Sequence, residues 1–322
     1  MRRYIAVLGL VCWGPILPAQ RSRVAHSGEI RLLVRGDDMG AAHGINVGAL
    51  QAYKEGILTA TNVIVPGPWF PEAVRMLNEN PGLDAGLHLA LTSEWDGIKW
   101  RPLTAAPTLV DASGYFFPLV SPAAGFAKHS SIAEAKPNLT EVEKELSAQI
   151  ELAKRLIPRV DYFTCHMGFK NLPELGAIVE RLSHKYDLPA EPIKRICAGC
   201  VVCVGCADAS PFQVYEKSDS GAVRAKKLAA KLESLTPGTW IFYDHPATNT
   251  PEIQALGHTP TPDVVSRRGG FFYTNVAGDR WAVVEALTSP LVKEVVKRRG
   301  IKLIGHRELS EGMRQQSGKP GE

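Results

Sequence analysis

Glu29–Val34, Arg35–Gly40 and Ala41–Leu58 read in succession EIRLLV, RGDDMG and AAHGINVGALQAYKEGIL. An apolar run of strand length leads into an acidic pair flanked by glycines, and then into a stretch with helical spacing. The same order recurs along the chain. TATNVIVPG (59–67) precedes PEAVRMLNEN (71–80), and DAGLHLAL (84–91) reads as a third strand. A Pro-, Gly- and Trp-containing segment, Thr92–Pro137, then leads to TEVEKELSAQIELAKRLI (140–157). There Val142, Leu146, Ile150, Ala153 and Ile157 fall at helical spacing, and Thr140 is placed to cap the helix. RVDYFTCHMG, LPELGAIVERLSHKY, IKRICAG, AVRAKKLAAKLESL, GTWIFYDHPA, AVVEALTSPLVKEVVKRRG and IKLIGHREL continue the alternation, the sixth of these reading as one long helix.

Strands alternating with helices mean βα units and a parallel sheet. Roughly seven units favour a (β/α) barrel-like fold, a distorted or incomplete TIM-type barrel, over a small open sheet. An open doubly wound sheet is the alternative. No linker or internal repeat divides the chain, so a single domain is expected over 28–312.

The 322 residues are 45% hydrophobic and 22% charged, with a formal net charge of +4, which suits a globular chain with a sizeable core. No basic run marks a nucleic-acid partner. The start differs from the body. MRR, then the apolar YIAVLGLVCWGPIL, then LPAQ, is the layout of a signal peptide over 1–19, with Ala19 at the cleavage point. Export to the periplasm or medium is therefore expected, with no membrane contact after leader removal. The run is too short and interrupted for a membrane span. Residues 313–322 read as a polar tail.

In parallel α/β sheets the working residues lie at the C-terminal strand ends. Those ends carry Asp37-Asp38, His88, His166, Asp244-His245 and His306. Each has a plain reading: Asp37 as a helix cap, His88 as a core histidine, His245 as a turn residue before proline. His306, beside Arg307 and Glu308, is read as structural, making surface pairs. His43, His129, His184 and His258 are read as surface residues. In combination, one carboxylate and two imidazoles from three strand ends make a three-ligand site for a divalent cation, zinc or magnesium, with a position left for water. A second carboxylate beside it suits a general base, and a further histidine suits protonation of a leaving group. The chemistry is hydrolysis of an amide or ester.

RGDDMG with HGIN and EGILTATNVIVPG, GLHLALT, CHMG, and HPA with PE resemble the YdjC-like carbohydrate deacetylases, relatives of the chitooligosaccharide deacetylase type, from about Leu33 to Leu309. The resemblance implies a barrel-like fold, one divalent metal ion, and deacetylation of N-acetylated sugars or short oligosaccharides with release of acetate. It implies Asp38, His88 and His166 as metal ligands, Asp37 as general base, and His245 as general acid or transition-state stabiliser. One motif departs: where the family often has HxDxHMG, this chain has Tyr162 and Thr164. Another metal-dependent amide or ester hydrolase, or a non-catalytic sugar-binding or redox protein, is the alternative. Trp95 and Trp100 are candidates for stacking on a sugar, with plain packing as the other reading. A homodimer is left open.

Cys197, Cys200, Cys203 and Cys206 recur at every third position. That spacing is near an iron–sulfur run but lacks its longer last gap and proline. Zinc, packed small residues, or disulfides in an exported protein are the other readings.

Overall fold

The computed structural model describes residues 28–123, 126–190, 199–204, 212–257 and 275–309. The leader reading, the polar tail, His258, Cys197 and Cys206 lie outside these residues. One mixed sheet organises the described chain. Its strands are β1 (Ile30–Met39), β2 (Ala60–Val63), β3 (Asp84–Leu89), β4 (Phe163–Cys165), β5 (Cys200–Val204), β6 (Phe212–Gln213), β7 (Gly238–Asp244) and β8 (Lys302–Ile304). Their order is β4-β3-β2-β1-β7-β5-β6, with β8 also paired to β1.

The strand ladder is parallel from β4 to β7 and antiparallel at β5 and β6. The expected parallel sheet is therefore mostly parallel. It curls into a half-barrel, a distorted and incomplete barrel, with its edges at β4 and β6 among the described residues. β1 is long enough to serve three partners. β7 pairs along Ile30–Gly36, β8 pairs only with Arg31–Leu33, and β2 pairs with Arg35–Met39.

The helices are α1 (His43–Glu55), α2 (Phe70–Glu79), α3 (Ile132–Ala135), α4 (Leu139–Leu156), α5 (Pro173–Tyr186), α6 (Gly221–Glu233), α7 (Pro251–Gln254), α8 (Val276–Thr288) and α9 (Pro290–Arg298). The apolar stripe read on α4 is fully buried at Val142, Leu146, Ile150, Ala153 and Ile157. Its cap is Asn138, whose side chain accepts from the Thr140 N–H, so Thr140 is capped and does not cap. The single long helix expected at the end is two. Pro290 has no N–H and cannot continue α8, but it fits the first turn of α9. No helix among the described residues is long and apolar enough to cross a membrane.

Candidate active site

Because β1, β3, β4 and β7 run parallel, their C-terminal ends form one rim. β1 carries Arg35, Asp37 and Asp38 up to it. Arg35 donates to both Asp37 oxygens, Nε at 2.6 Å and Nη2 at 3.1 Å, and both side chains are buried. The Arg-Gly-Asp triplet therefore lies within a core strand. Asp37 does not cap α1, because the first N–H groups of that helix donate to the Glu252 carboxylate from α7, at 3.0 and 3.1 Å. Asp38 takes a left-handed backbone conformation, φ 78°, as does Gly40 at φ 91°. A Cβ on Gly40 would lie 2.6 Å from the Ile64 carbonyl oxygen, so only glycine turns the chain there. A non-glycine residue held left-handed marks a functional or strained position, and aspartate tolerates it better than most.

Asp38 Oδ1 is buried and has no hydrogen-bond partner. It lies 3.5 Å from His88 Nε2 and 3.5 Å from His166 Nδ1. All three residues are buried, and their candidate ligand atoms lie within 4.8 Å of one another. Two imidazole nitrogens and one carboxylate oxygen at this separation fit a small divalent cation, which binds such atoms at about 2.0–2.2 Å. Each ring has a partner behind it. His88 Nδ1 meets Thr164 Oγ1 at 2.5 Å, and His166 Nε2 meets Glu94 Oε2 at 2.8 Å.

Electrostatics separate the two rings. Burial pulls the pKa of His88 down to about 3, against the opposing charge of Asp37. Burial also works against a charged His166, but the charge of Glu94, the nearby Asp38 carboxylate and the hydrogen bond to Glu94 prevail and push it up to about 10. Two carboxylates thus favour positive charge on the ring that lies between them. Burial alone would raise the pKa of Asp38, yet the charges of His245 and Arg280 hold it well below the usual range. Arg280, from α8, donates through Nη2 to Asp38 Oδ2 at 2.8 Å.

β7 brings His245 to the other side of Asp38. Its Nε2 is 4.0 Å from Asp38 Oδ2, and its Nδ1 is 3.4 Å from Asp244 Oδ1. Tyr215 donates to the second Asp244 oxygen at 2.6 Å. Burial lowers the His245 pKa, but Asp38 and Asp244 raise it more, so its net shift is upward.

Trp95 and Trp100, read as stacking candidates, are both buried, at 4% and 2% exposure. Trp100 lies against His166, ring centroids 5.9 Å apart, and its indole N–H donates to the Thr92 carbonyl. Arg280 sits over Trp95, 5.1 Å from the ring centroid. The segment that carries them is fastened to α4 by Glu145, which accepts from the N–H groups of Leu103 and Thr104.

The replaced positions in the CHMG motif have separate jobs. Tyr162 packs where a Gly86 Cβ would lie, 2.2 Å from the ring, and its hydroxyl donates to the Thr61 carbonyl. Thr164 backs His88. His306 is not in surface pairs: it is buried and stacks on Tyr162, centroids 3.5 Å apart. β8 ends at Ile304 opposite Leu33, about five residues short of Asp38, so its end lies roughly 16 Å below the rim. His43, His129 and His184 are exposed, as expected of surface residues. Cys200 and Cys203 are disulfide-bonded. Asn62 lies within the EGILTATNVIVPG stretch without a role of its own there, and Glu94, Tyr215 and Arg280 belong to no motif. Glu94 next to Trp95 in a polar insertion was the nearest signal.

Comparison with known proteins gives the family of the chain. The family model described as YdjC-like protein matches residues 31–298. A Thermus thermophilus carbohydrate deacetylase is 32% identical over 248 residues, 74% of this chain and 86% of its own length. A Yersinia enterocolitica chitooligosaccharide deacetylase is 27% identical over 284 residues, 84% of this chain and 96% of its own. The solved structure of a proposed cellobiose-phosphate cleavage protein from Enterococcus faecalis superposes with a TM-score of 0.60 at 24% identity, covering 87% of this chain and 99% of that one. With the family model spanning most of its length, the chain belongs to the YdjC-like protein family.

Proposed function

We propose that the chain is a metal-dependent carbohydrate N-deacetylase, hydrolysing the acetamide of N-acetylated sugars or short oligosaccharides and releasing acetate. The observation that carries this is the buried, unpartnered Asp38 Oδ1 facing two imidazole nitrogens on a rim of parallel strands. Relatives that share most of its length are named carbohydrate deacetylases. Asp38, His88 and His166 would hold one magnesium or zinc ion. Such an ion polarises an amide carbonyl and makes water a nucleophile near neutral pH.

The chain's own groups do the rest. Asp37 accepts a proton from the attacking water. Its clamp to Arg35 uses one lone pair on each oxygen and leaves the others available. His245, raised in pKa and 28% exposed at its side chain, gives a proton to the leaving amine. It is the open member of the set, so the sugar approaches from the β7 side. We further propose export, supported by the leader-like start and by disulfide-bonded Cys200 and Cys203, which fit an oxidising compartment.

Acetate release from short N-acetylglucosamine oligomers tests the assignment of roles. Asp37→Asn is expected to keep its metal and lose turnover, and wild-type rates would remove Asp37 as the base. His88→Ala and His166→Ala are expected to lower metal content by elemental analysis. Unchanged metal in either takes that residue out of the ligand set.

A further inference from the structure

Three hydrogen bonds join the backbone of Asp38 to the ring of His88, and their direction is fixed from one end. The Asp38 N–H can only donate. The Asn62 atom it meets at 3.3 Å is therefore Oδ1, which leaves Nδ2 facing the other way. Asn62 Nδ2 then donates to Thr164 Oγ1 at 2.7 Å. Oγ1 keeps one lone pair and one proton, for two neighbours. The Leu87 carbonyl, at 3.3 Å, can only accept. His88 Nδ1 lies at 2.5 Å.

One assignment satisfies every contact. The hydroxyl proton goes to the Leu87 carbonyl, and the remaining lone pair accepts an N–H from His88 Nδ1. Nε2 is then bare. It faces Asp38 Oδ1 at 3.5 Å with no proton to offer, which accords with Oδ1 having no partner. A bare imidazole nitrogen is what a metal ligand must present. Asn62, Thr164, His88 and Asp38 are each 6% exposed or less, so water does not substitute for a missing link.

We propose that Asn62 and Thr164 are positioning residues that lock His88 in its Nδ1–H form and couple it to Asp38, so that the two donors meet a divalent cation as one preset pair. The inference rests on the reading of Asp38, His88 and His166 as the cation site. The relay is neutral throughout. It sets orientation and tautomer, whereas His166 is backed by the charge of Glu94.

The test is the affinity of the full chain for Zn²⁺, measured by competition with a chromophoric chelator, alongside the thermal midpoint of the metal-free protein. Thr164→Val keeps the shape and loses the hydroxyl. It is expected to weaken binding 10- to 100-fold, the range for outer partners of metal-binding histidines. Asn62→Ala is expected to weaken binding in the same sense. Thr164→Ser keeps the hydroxyl and is expected to restore wild-type affinity. A purely structural role would lower the midpoint of the metal-free protein and leave affinity alone. Should Thr164→Val not fold, Thr164→Ala carries the same comparison. Wild-type affinity in the folded variant overturns the relay while His88→Ala still loses its metal. Wild-type affinity in His88→Ala as well overturns the cation site itself. Nitrogen-15 spectra of the metal-free wild type give a second reading: the His88 proton is expected on Nδ1, and a proton on Nε2 overturns the proposal.

Discussion

β1 divides the site into two sides that are built differently. On one, β2, β3 and β4 run parallel to it, and the ends of β3 and β4 set His88 and His166 beside Asp38 of β1 in the interior. Each imidazole there is backed by a short contact, 2.5 Å to Thr164 or 2.8 Å to Glu94. On the other, β7 is parallel but β5 and β6 reverse direction. His245 stands there half-buried, with its nearest charged neighbours at 3.4 and 4.0 Å. A cation site needs donors fixed before the ion arrives. A proton donor must meet a substrate and needs room. The packed side suits the first task and the looser side the second.

The largest effect that could break this division is His245→Ala. Loss of a positioned acid is expected to lower kcat by about 10²–10⁴ while metal content stays at the wild-type value. Metal loss in this variant would place His245 among the ligands and erase the distinction. Glu94→Gln probes the packed side. It removes the charge behind His166, and metal affinity is expected to fall about 10- to 100-fold in a chelator competition. Tyr215→Phe should do less, on the open side. It leaves a buried Asp244 oxygen without its donor, a loss of about 1–3 kcal/mol spread between stability and the orientation of His245. The expected result is a kcat several-fold lower with metal affinity unchanged, checked by steady-state kinetics.

The smallest effect lies below the rim. Burial, with the charge of Asp84, raises the pKa of Asp161 to about 6, from about 3.9 in an unfolded chain. The folded state therefore holds that proton more tightly. Stability from this group is greatest at low pH and is lost as pH rises from about 4 to about 6. Asp161→Asn should flatten the thermal midpoint between pH 4.5 and pH 7.5 and leave metal binding alone. An unchanged pH dependence would mean that Asp161 ionises normally.

Reading strand ends was enough to find Asp38, His88 and His166, because parallel strands put their C-terminal ends on one rim whatever their order. His306 also follows a strand end and is structural as read, but it is buried against Tyr162 and makes no surface pairs. A strand's register is set by its partners, and β8 pairs low on β1. The reversal of β5 and β6 was equally hidden, since an apolar run carries no mark of its direction. Pro290 was visible and should have split the last long helix. Thr164 stood out as a replaced residue, but its contact with Asn62 joins positions 102 residues apart. Glu94 reaches His166 from 72 residues away, out of an insertion with no helical or strand period to place it.

The most direct test of the account is acetate release by the chelator-treated chain, re-supplied with one divalent cation at a time while metal content is measured in parallel. Release is expected to be lost on chelation and regained as one ion binds per chain, and Asp38→Asn is expected to show neither the ion nor the recovery. Release that persists without metal, or a full equivalent of metal bound by Asp38→Asn, would contradict it.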